Sequence, residues 1–180
     1  VGPRAGFIVG KKELIYGIEM EAEEMGALAD VAKTLAILKS LELWNPENLR
    51  STVKAGEEIT EEMSKIFGSK RMEKSAEGAT MRMDSILEIM VERSGMKPQK
   101  APIVSMEACR LVGMILLEIH GVLAMPTFSY PRLRLMPSRS EANRFGGPKA
   151  IANAVDKSIS KAASIMTDLG TIKQILLPST

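Results

Sequence analysis

Apolar residues recur at three-, four- and seven-residue steps over much of this chain, and this spacing places them on one face of an α-helix. Between residues 11 and 43, the apolar positions that keep this spacing are Ile18, Met25, Leu28, Val31, Leu35 and Leu38. Most of the other residues in this segment are good helix formers. The pattern predicts an amphipathic helical segment, which Gly17 and Gly26 can break into shorter pieces.

Helix-capping residues and glycine stops predict more helices along the rest of the chain. Asn45 and Pro46 suit a helix start, while Gly56 and Gly68 suit helix ends. The predicted helices cover 46–55, 57–67, 79–93, 105–120 and 148–169, with one or two further turns in 138–145. The pattern contains almost no recognisable strand and no internal repeat.

The segment from about 104 to 120 is apolar on nearly every face, which is typical of the central helix of a bundle. The predicted fold class is therefore all-α: a compact helical bundle around this helix, with a Pro/Arg-rich loop and extended termini. A length of 180 residues suits one domain over 1–180. The apolar termini, 1–10 and 171–180, are predicted to be assembly arms.

The cysteine count and the longest apolar runs indicate the compartment in which the protein is found. The one cysteine, Cys109, cannot form an internal disulfide. The longest apolar stretch, 103–125, carries four ionisable residues, Glu107, Arg110, Glu118 and His120, so it does not predict a membrane span. The first ten residues hold too short an apolar run for a signal peptide. We therefore expect an intracellular, cytoplasmic or virion protein that does not interact with a membrane.

Few residues suit catalysis or metal binding. One histidine excludes a multi-histidine metal site. Cys109 and His120 lie roughly 16 Å apart on one predicted helix, too far for a nucleophilic pair. The carboxylate pairs of 57–62 lack partner histidines and indicate a solvated face. The sequence thus predicts no metal, no cofactor and no enzyme, although a polar pocket of Glu107, Arg110, Glu118 and His120 stays open as an alternative.

Charge is unevenly distributed along the chain. Residues 1–90 hold 12 basic against 16 acidic residues, a net charge of −4, and residues 91–180 hold 12 against 6, a net charge of +6. Within the basic half, 128–149 combines prolines with cations and aromatic residues. Arginine binds phosphate bidentately, and aromatic rings stack on unpaired bases. The predicted nucleic-acid-binding residues are Arg132, Arg134, Arg139, Arg144, Lys149, Tyr130 and Phe145. Lys70, Arg71 and Lys74 are predicted to form a second wall of the same nucleic-acid groove.

Two short motifs in this segment are similar to a known family. Tyr130-Pro131-Arg132, then Met136-Pro137-Ser138 and Phe145, follow an apolar helix, and this order resembles the middle of phlebovirus-type nucleocapsid proteins. The resemblance covers about 71–145. It implies a compact helical protein that lines RNA in a basic groove and polymerises through a terminal arm. Flexuous filamentous plant-virus coat proteins are similar in fold.

The functional hypothesis is therefore a structural viral nucleocapsid or coat subunit that self-assembles and binds single-stranded nucleic acid, with RNA favoured. The alternative is a helical protein–protein scaffold or adaptor that binds no nucleic acid. Its docking face would be the acidic N-terminal helix and surfaces rich in methionine, of which the chain has 13.

Overall fold

The computed structural model describes residues 7–73, 75, 78–124 and 132–177. Residue contacts divide the chain into two compact units, Val1–Pro46 and Glu47–Thr180. The sequence pattern predicted one domain over the whole chain, whereas the structure separates the first 46 residues.

The described residues are largely helical, with a small three-stranded sheet. In chain order, the elements are α1 (Lys12–Glu24), α2 (Val31–Glu42), α3 (Pro46–Phe67), β1 (Met72–Glu73), β2 (Ala79–Arg82), α4 (Met83–Ser94), α5 (Ser105–His120), β3 (Arg132–Leu135), α6 (Arg139–Arg144), α7 (Pro148–Ser164) and α8 (Leu169–Leu176). The prediction of a mainly helical protein is confirmed, but the prediction that it is strictly all-α is wrong.

The first unit contains α1 and α2. The start of α2 is set by Asp30, whose carboxylate accepts the backbone N–H of Lys33 at 2.7 Å. None of the described residues in 7–46 is buried. This unit therefore contributes nothing to the hydrophobic core.

The sheet of the second unit was not predicted. Strand β2 lies in the middle and pairs antiparallel with β1 and with β3. Ala79, Thr80 and Met81 are buried there, although the sequence pattern predicted that a helix begins at residue 79. Strand formation depends on cross-strand neighbours more than on local preference, so the pairing partners decide the conformation of this segment.

Helices α4, α5 and α7 pack against one another and form the centre of the second unit, with α8 against α5. Gly95 and Gly121, both with left-handed backbone, end α4 and α5. The central position of the predicted apolar helix is confirmed. One part of its surface is nevertheless exposed, at Met114 and Leu117.

Arg93 joins α4 to α7. Its guanidinium donates to Asp156 Oδ1 at 2.6 Å and to Ser160 Oγ at 2.6 Å. It also lies over the ring of Phe67 in α3, 5.6 Å from the ring centroid. One side chain thus connects three helices of the second unit.

Two further predictions concern helix continuity and the termini. Helix α3 runs unbroken through Gly56, so the predicted break there is wrong. In the predicted arm at 171–180, residues 171–176 lie in α8 and Ile172 is buried in the core of its own unit. In the predicted arm at 1–10, residues 7–10 are exposed and the others lie outside the described part. No described helix is long and apolar enough to cross a membrane.

Candidate functional site

Two arginines lie on one face of β3. Leu133 and Leu135 point to the core and are each 1% exposed, while Arg132 and Arg134 alternate with them. Successive side chains of a strand point to opposite faces, so the sequence Arg-Leu-Arg-Leu sorts into a charged and an apolar side. The pairing of Thr80 with Arg134 holds this register.

Helix α6 follows β3 after three residues, and a capping box at Ser138 sets its start. The Ser138 hydroxyl accepts the backbone N–H of Glu141, and the Glu141 carboxylate accepts the backbone N–H of Ser138 at 2.8 Å. These hydrogen bonds, with the nearby charge of Arg144, lower the pKa of Glu141. The cap sets the start of the helix that carries Arg144.

A cavity of about 250 Å³ lies where the end of α5, the end of β3 and α6 meet. Most of its wall is apolar, and its charged groups are Arg134, Glu141 and Arg144. The complete lining is Gly121, Val122, Leu123, Arg134, Leu135, Met136, Pro137, Glu141, Arg144, Phe145 and Ile151. An apolar pocket with two guanidinium groups suits a small ligand that carries a carboxylate or phosphate.

Of the predicted site residues, Arg134, Arg144 and Phe145 meet in this cavity. The guanidinium carbon of Arg144 lies 5.7 Å from the Phe145 ring centroid. Arg132 forms an ion pair with Glu73 of β1 at 2.9 Å, and Arg139 pairs with Glu58 of α3; neither lines the cavity. Both of these arginines are thereby bound to carboxylates from other elements.

The other predicted cations lie elsewhere on the second unit. Lys70 is exposed in the turn before β1, and Arg71 in the same turn pairs with Glu92 of α4. Lys149 is exposed in the first turn of α7. None of the three lines the cavity. Lys74 and Tyr130 lie outside the described residues.

Sequence reasoning missed the residues that close the cavity. Gly121 and Val122 follow α5, and Ile151 comes from α7, so folding brings them to β3 and α6 from separate segments. It also missed the carboxylates Glu58 and Glu73. The alternating Arg-Leu-Arg-Leu pattern was a usable strand signal, whereas nothing local indicated the carboxylate partners.

The polar residues that the sequence singled out on α5 lie away from the cavity. Glu107 caps the helix by accepting the backbone N–H of Val104 at 2.9 Å. Burial raises the pKa of the Cys109 thiol to about 11, so it is protonated and unreactive near neutral pH. Glu107, Arg110, Glu118 and His120 do not line the cavity described above. The described residues include no cluster of three or more His, Cys, Asp or Glu side chains that could hold a metal ion.

Comparison with known proteins gives two curated relatives, each named "UPF0425 pyridoxal phosphate-dependent protein". The protein of Methanothermobacter thermautotrophicus is 26% identical over 144 residues, which are 80% of this chain and 33% of that protein. The protein of Methanosphaera stadtmanae is 23% identical over 147 residues, 80% of this chain and 34% of that protein. No protein-family model matches the chain, and no solved structure matches it significantly.

These relatives overturn the functional hypothesis that the sequence motifs suggested. They are archaeal proteins, so the resemblance to viral nucleocapsid and coat proteins, and with it the coating function and the virion, was wrong. The expectation of a protein without enzymatic character was wrong as well, because the relatives are named for a coenzyme. The short motifs around Tyr130 and Met136 misled because a few matched residues occur by chance. The chain is similar to two archaeal proteins named as pyridoxal phosphate-dependent, and it spans about a third of their length.

Proposed function

We propose that this chain is one part of a pyridoxal phosphate-dependent protein, in which the cavity of the Glu47–Thr180 unit binds the anionic group of a small ligand. The observation that carries the proposal is the similarity to two relatives named for this coenzyme over 80% of the chain. Arg134 and Arg144 in the cavity support it, because guanidinium groups are the usual partners of carboxylates and phosphates.

The described residues fit only part of what the coenzyme requires. Pyridoxal phosphate is held by a lysine that forms a Schiff base with its aldehyde, and by a partner for its ring nitrogen. Every described lysine is exposed, and none lines the cavity. The chain as described therefore does not hold the whole coenzyme. In the proposed longer protein, the lysine lies outside the described residues of this chain.

The cavity itself can bind and orient an anion. Its wall is mostly apolar, and the two guanidinium groups supply positive charge that attracts a carboxylate or phosphate. Glu141 adds a negative charge beside Arg144 and disfavours ligands with a second anionic group there. Two ligand groups share this chemistry: the phosphate of the coenzyme and the carboxylate of a substrate.

The experiment is a titration of the 180-residue chain, followed by NMR chemical shifts of the residues around the cavity. Inorganic phosphate and pyridoxamine 5′-phosphate probe the phosphate source, and acetate and glycine probe the carboxylate source. We expect saturable binding in one of these arms. Arg134→Gln and Arg144→Gln should each weaken it about tenfold or more, since a hydrogen bond to a charged group contributes about 1.5–3 kcal/mol.

The matched control is Arg82→Gln, because Arg82 is an exposed arginine of the neighbouring strand that does not line the cavity. It should leave the affinity unchanged. The anion site is contradicted if no probe saturates, or if the Arg134 and Arg144 variants bind like the control. Borohydride reduction after incubation with pyridoxal phosphate tests whether a described lysine forms the Schiff base. Label scattered over the exposed lysines is expected, and stoichiometric label on one described lysine would contradict the placement of the Schiff-base lysine outside the described residues.

A further inference from the structure

The first unit exposes large apolar side chains that nothing in that unit covers. In α2, Val31, Leu35 and Leu38 follow one another at four- and three-residue steps, so they share one face of the helix. Their exposed fractions are 77%, 62% and 52%. An isolated helix of 12 residues is marginal in water, and packing of its apolar face normally stabilises it.

Helix α1 presents a second apolar surface. Leu14, Ile18 and Met25 lie along a groove of about 390 Å³, which passes beside Gly17. At Gly17 no atom lies within 4 Å of the position that a Cβ would occupy, so the glycine leaves open space there. The groove can therefore accept side chains from another surface.

The charge of α1 indicates which kind of partner surface would fit the groove. Helix α1 contains five glutamates against one lysine, a net charge of −4. Glu13 and Glu21 line the groove itself. A partner surface with an apolar centre and a rim of lysine or arginine would be complementary. A symmetric pair of these faces from two copies would instead bring the two acidic rims together, which is unfavourable.

We propose that the apolar faces of α1 and α2 dock on the part of the longer protein that lies outside this chain, at an apolar surface edged with basic residues. The matched residues make up only 33% and 34% of the two relatives, so about two-thirds of each relative lies outside the match. That remainder is large enough to cover both helices. The inference rests on the proposed function only in its choice of partner, the longer protein.

Trp44 is a built-in reporter of docking. It is the one tryptophan of the chain, it belongs to the first unit, and it is 64% exposed. Labelling it with 5-fluorotryptophan gives a single ¹⁹F resonance, which an unlabelled partner does not obscure. The partner is the Methanothermobacter thermautotrophicus protein without its matched residues, produced as a separate polypeptide and checked for folding by circular dichroism.

We expect the partner to shift the Trp44 resonance and to slow amide exchange throughout α1 and α2. Leu35→Glu should weaken docking about tenfold or more, because a charge would replace a buried side chain. Ser40→Glu is the matched control, since residue 40 lies on the opposite side of α2 from the apolar face and is exposed. It should leave docking within about twofold, the usual effect of an exposed substitution.

If the separate partner does not fold, the resonance is read in a chimera in which this chain replaces the matched region of the relative. The proposal is overturned by an unshifted resonance with a folded partner or in the folded chimera. It is also overturned if the chain alone protects α1 and α2, whether as a monomer or as a dimer of two copies. Loss of docking with intact anion binding contradicts this inference alone, and the reverse result contradicts only the anion site.

Discussion

At the scale of single residues, two glycines allow the backbone of two segments to approach closely in the second unit. Gly78 has a left-handed φ of +116°, and a Cβ on Gly56 would lie 2.7 Å from the Gly78 Cα. Helix α3 thus touches the backbone just before β2. The sequence pattern predicted a helix end at Gly56. A glycine within a helical run looks the same in sequence whether it ends the helix or permits close packing.

Gly56→Ala should therefore destabilise the protein by about 1–3 kcal/mol, the usual cost of overpacking. The opposing gain in helix propensity is only about 1 kcal/mol. Urea unfolding followed by circular dichroism measures the difference. Gly17→Ala is the control, since no neighbouring atom lies within 4 Å of its new Cβ, and it should not lower stability. Equal behaviour of the two variants would refute the close contact.

At the scale of elements, helices followed local signals and strands did not. Caps and glycine stops placed the end of α4, both ends of α5 and the start of α7 near their observed positions, because these interactions join residues only three or four positions apart. The predicted end of α7 at residue 169 was wrong, since α7 ends at Ser164 and Gly170 lies inside α8. Strands β2 and β3 are four residues each, and their paired residues lie 50 to 56 positions apart in sequence. Strand β3 carries a four-residue alternation of burial and β2 carries none, so the periodic signal is short and the pairing decides both strands.

The cap of α8 predicts a pH dependence. Asp168 accepts the hydroxyl of Thr171 at 2.6 Å and its backbone N–H at 3.0 Å, and both hydrogen bonds lower the pKa of this carboxyl below its ordinary 3.8. A lowered folded-state pKa stabilises α8 above the unfolded pKa, and this contribution is lost as pH falls through the folded pKa. The methyl resonance of Ile172, buried in the core, should report undocking of α8 in acid.

Asp168→Asn removes the titrating group but keeps a capping side chain. In this variant the packing of Ile172 should no longer change over the pH range in which Asp168 titrates. Identical pH profiles for the two proteins would show that other carboxylates control α8.

At the scale of the whole molecule, the hydrophobic core lies entirely in the second unit. Its buried apolar residues run from Ala55 to Ile172, and the described residues of 7–46 contribute none. Burial of apolar surface is the main favourable term in folding. The two units therefore differ in how they are stabilised: one has its own core, while the other exposes its apolar faces.

A truncated chain of residues 47–180 should therefore fold by itself. Its free energy of unfolding should agree with that of the 180-residue chain within about 0.5 kcal/mol, the scale of exposed changes. Urea unfolding measured by the circular dichroism of both proteins tests this. A truncated chain that is unfolded, or clearly less stable, would show that the first 46 residues stabilise the core.

The sequence by itself determined where most helices lie and that α5 is central. These features depend on periodicity, capping and residue chemistry, which act over a few neighbouring positions. Only the tertiary structure decided which arginines line the cavity. Arg139, for example, pairs with Glu58, which lies 81 residues away in sequence. It also decided the sheet and the closure of the cavity. Contacts between distant segments depend on how the whole unit packs, and no local pattern encodes them.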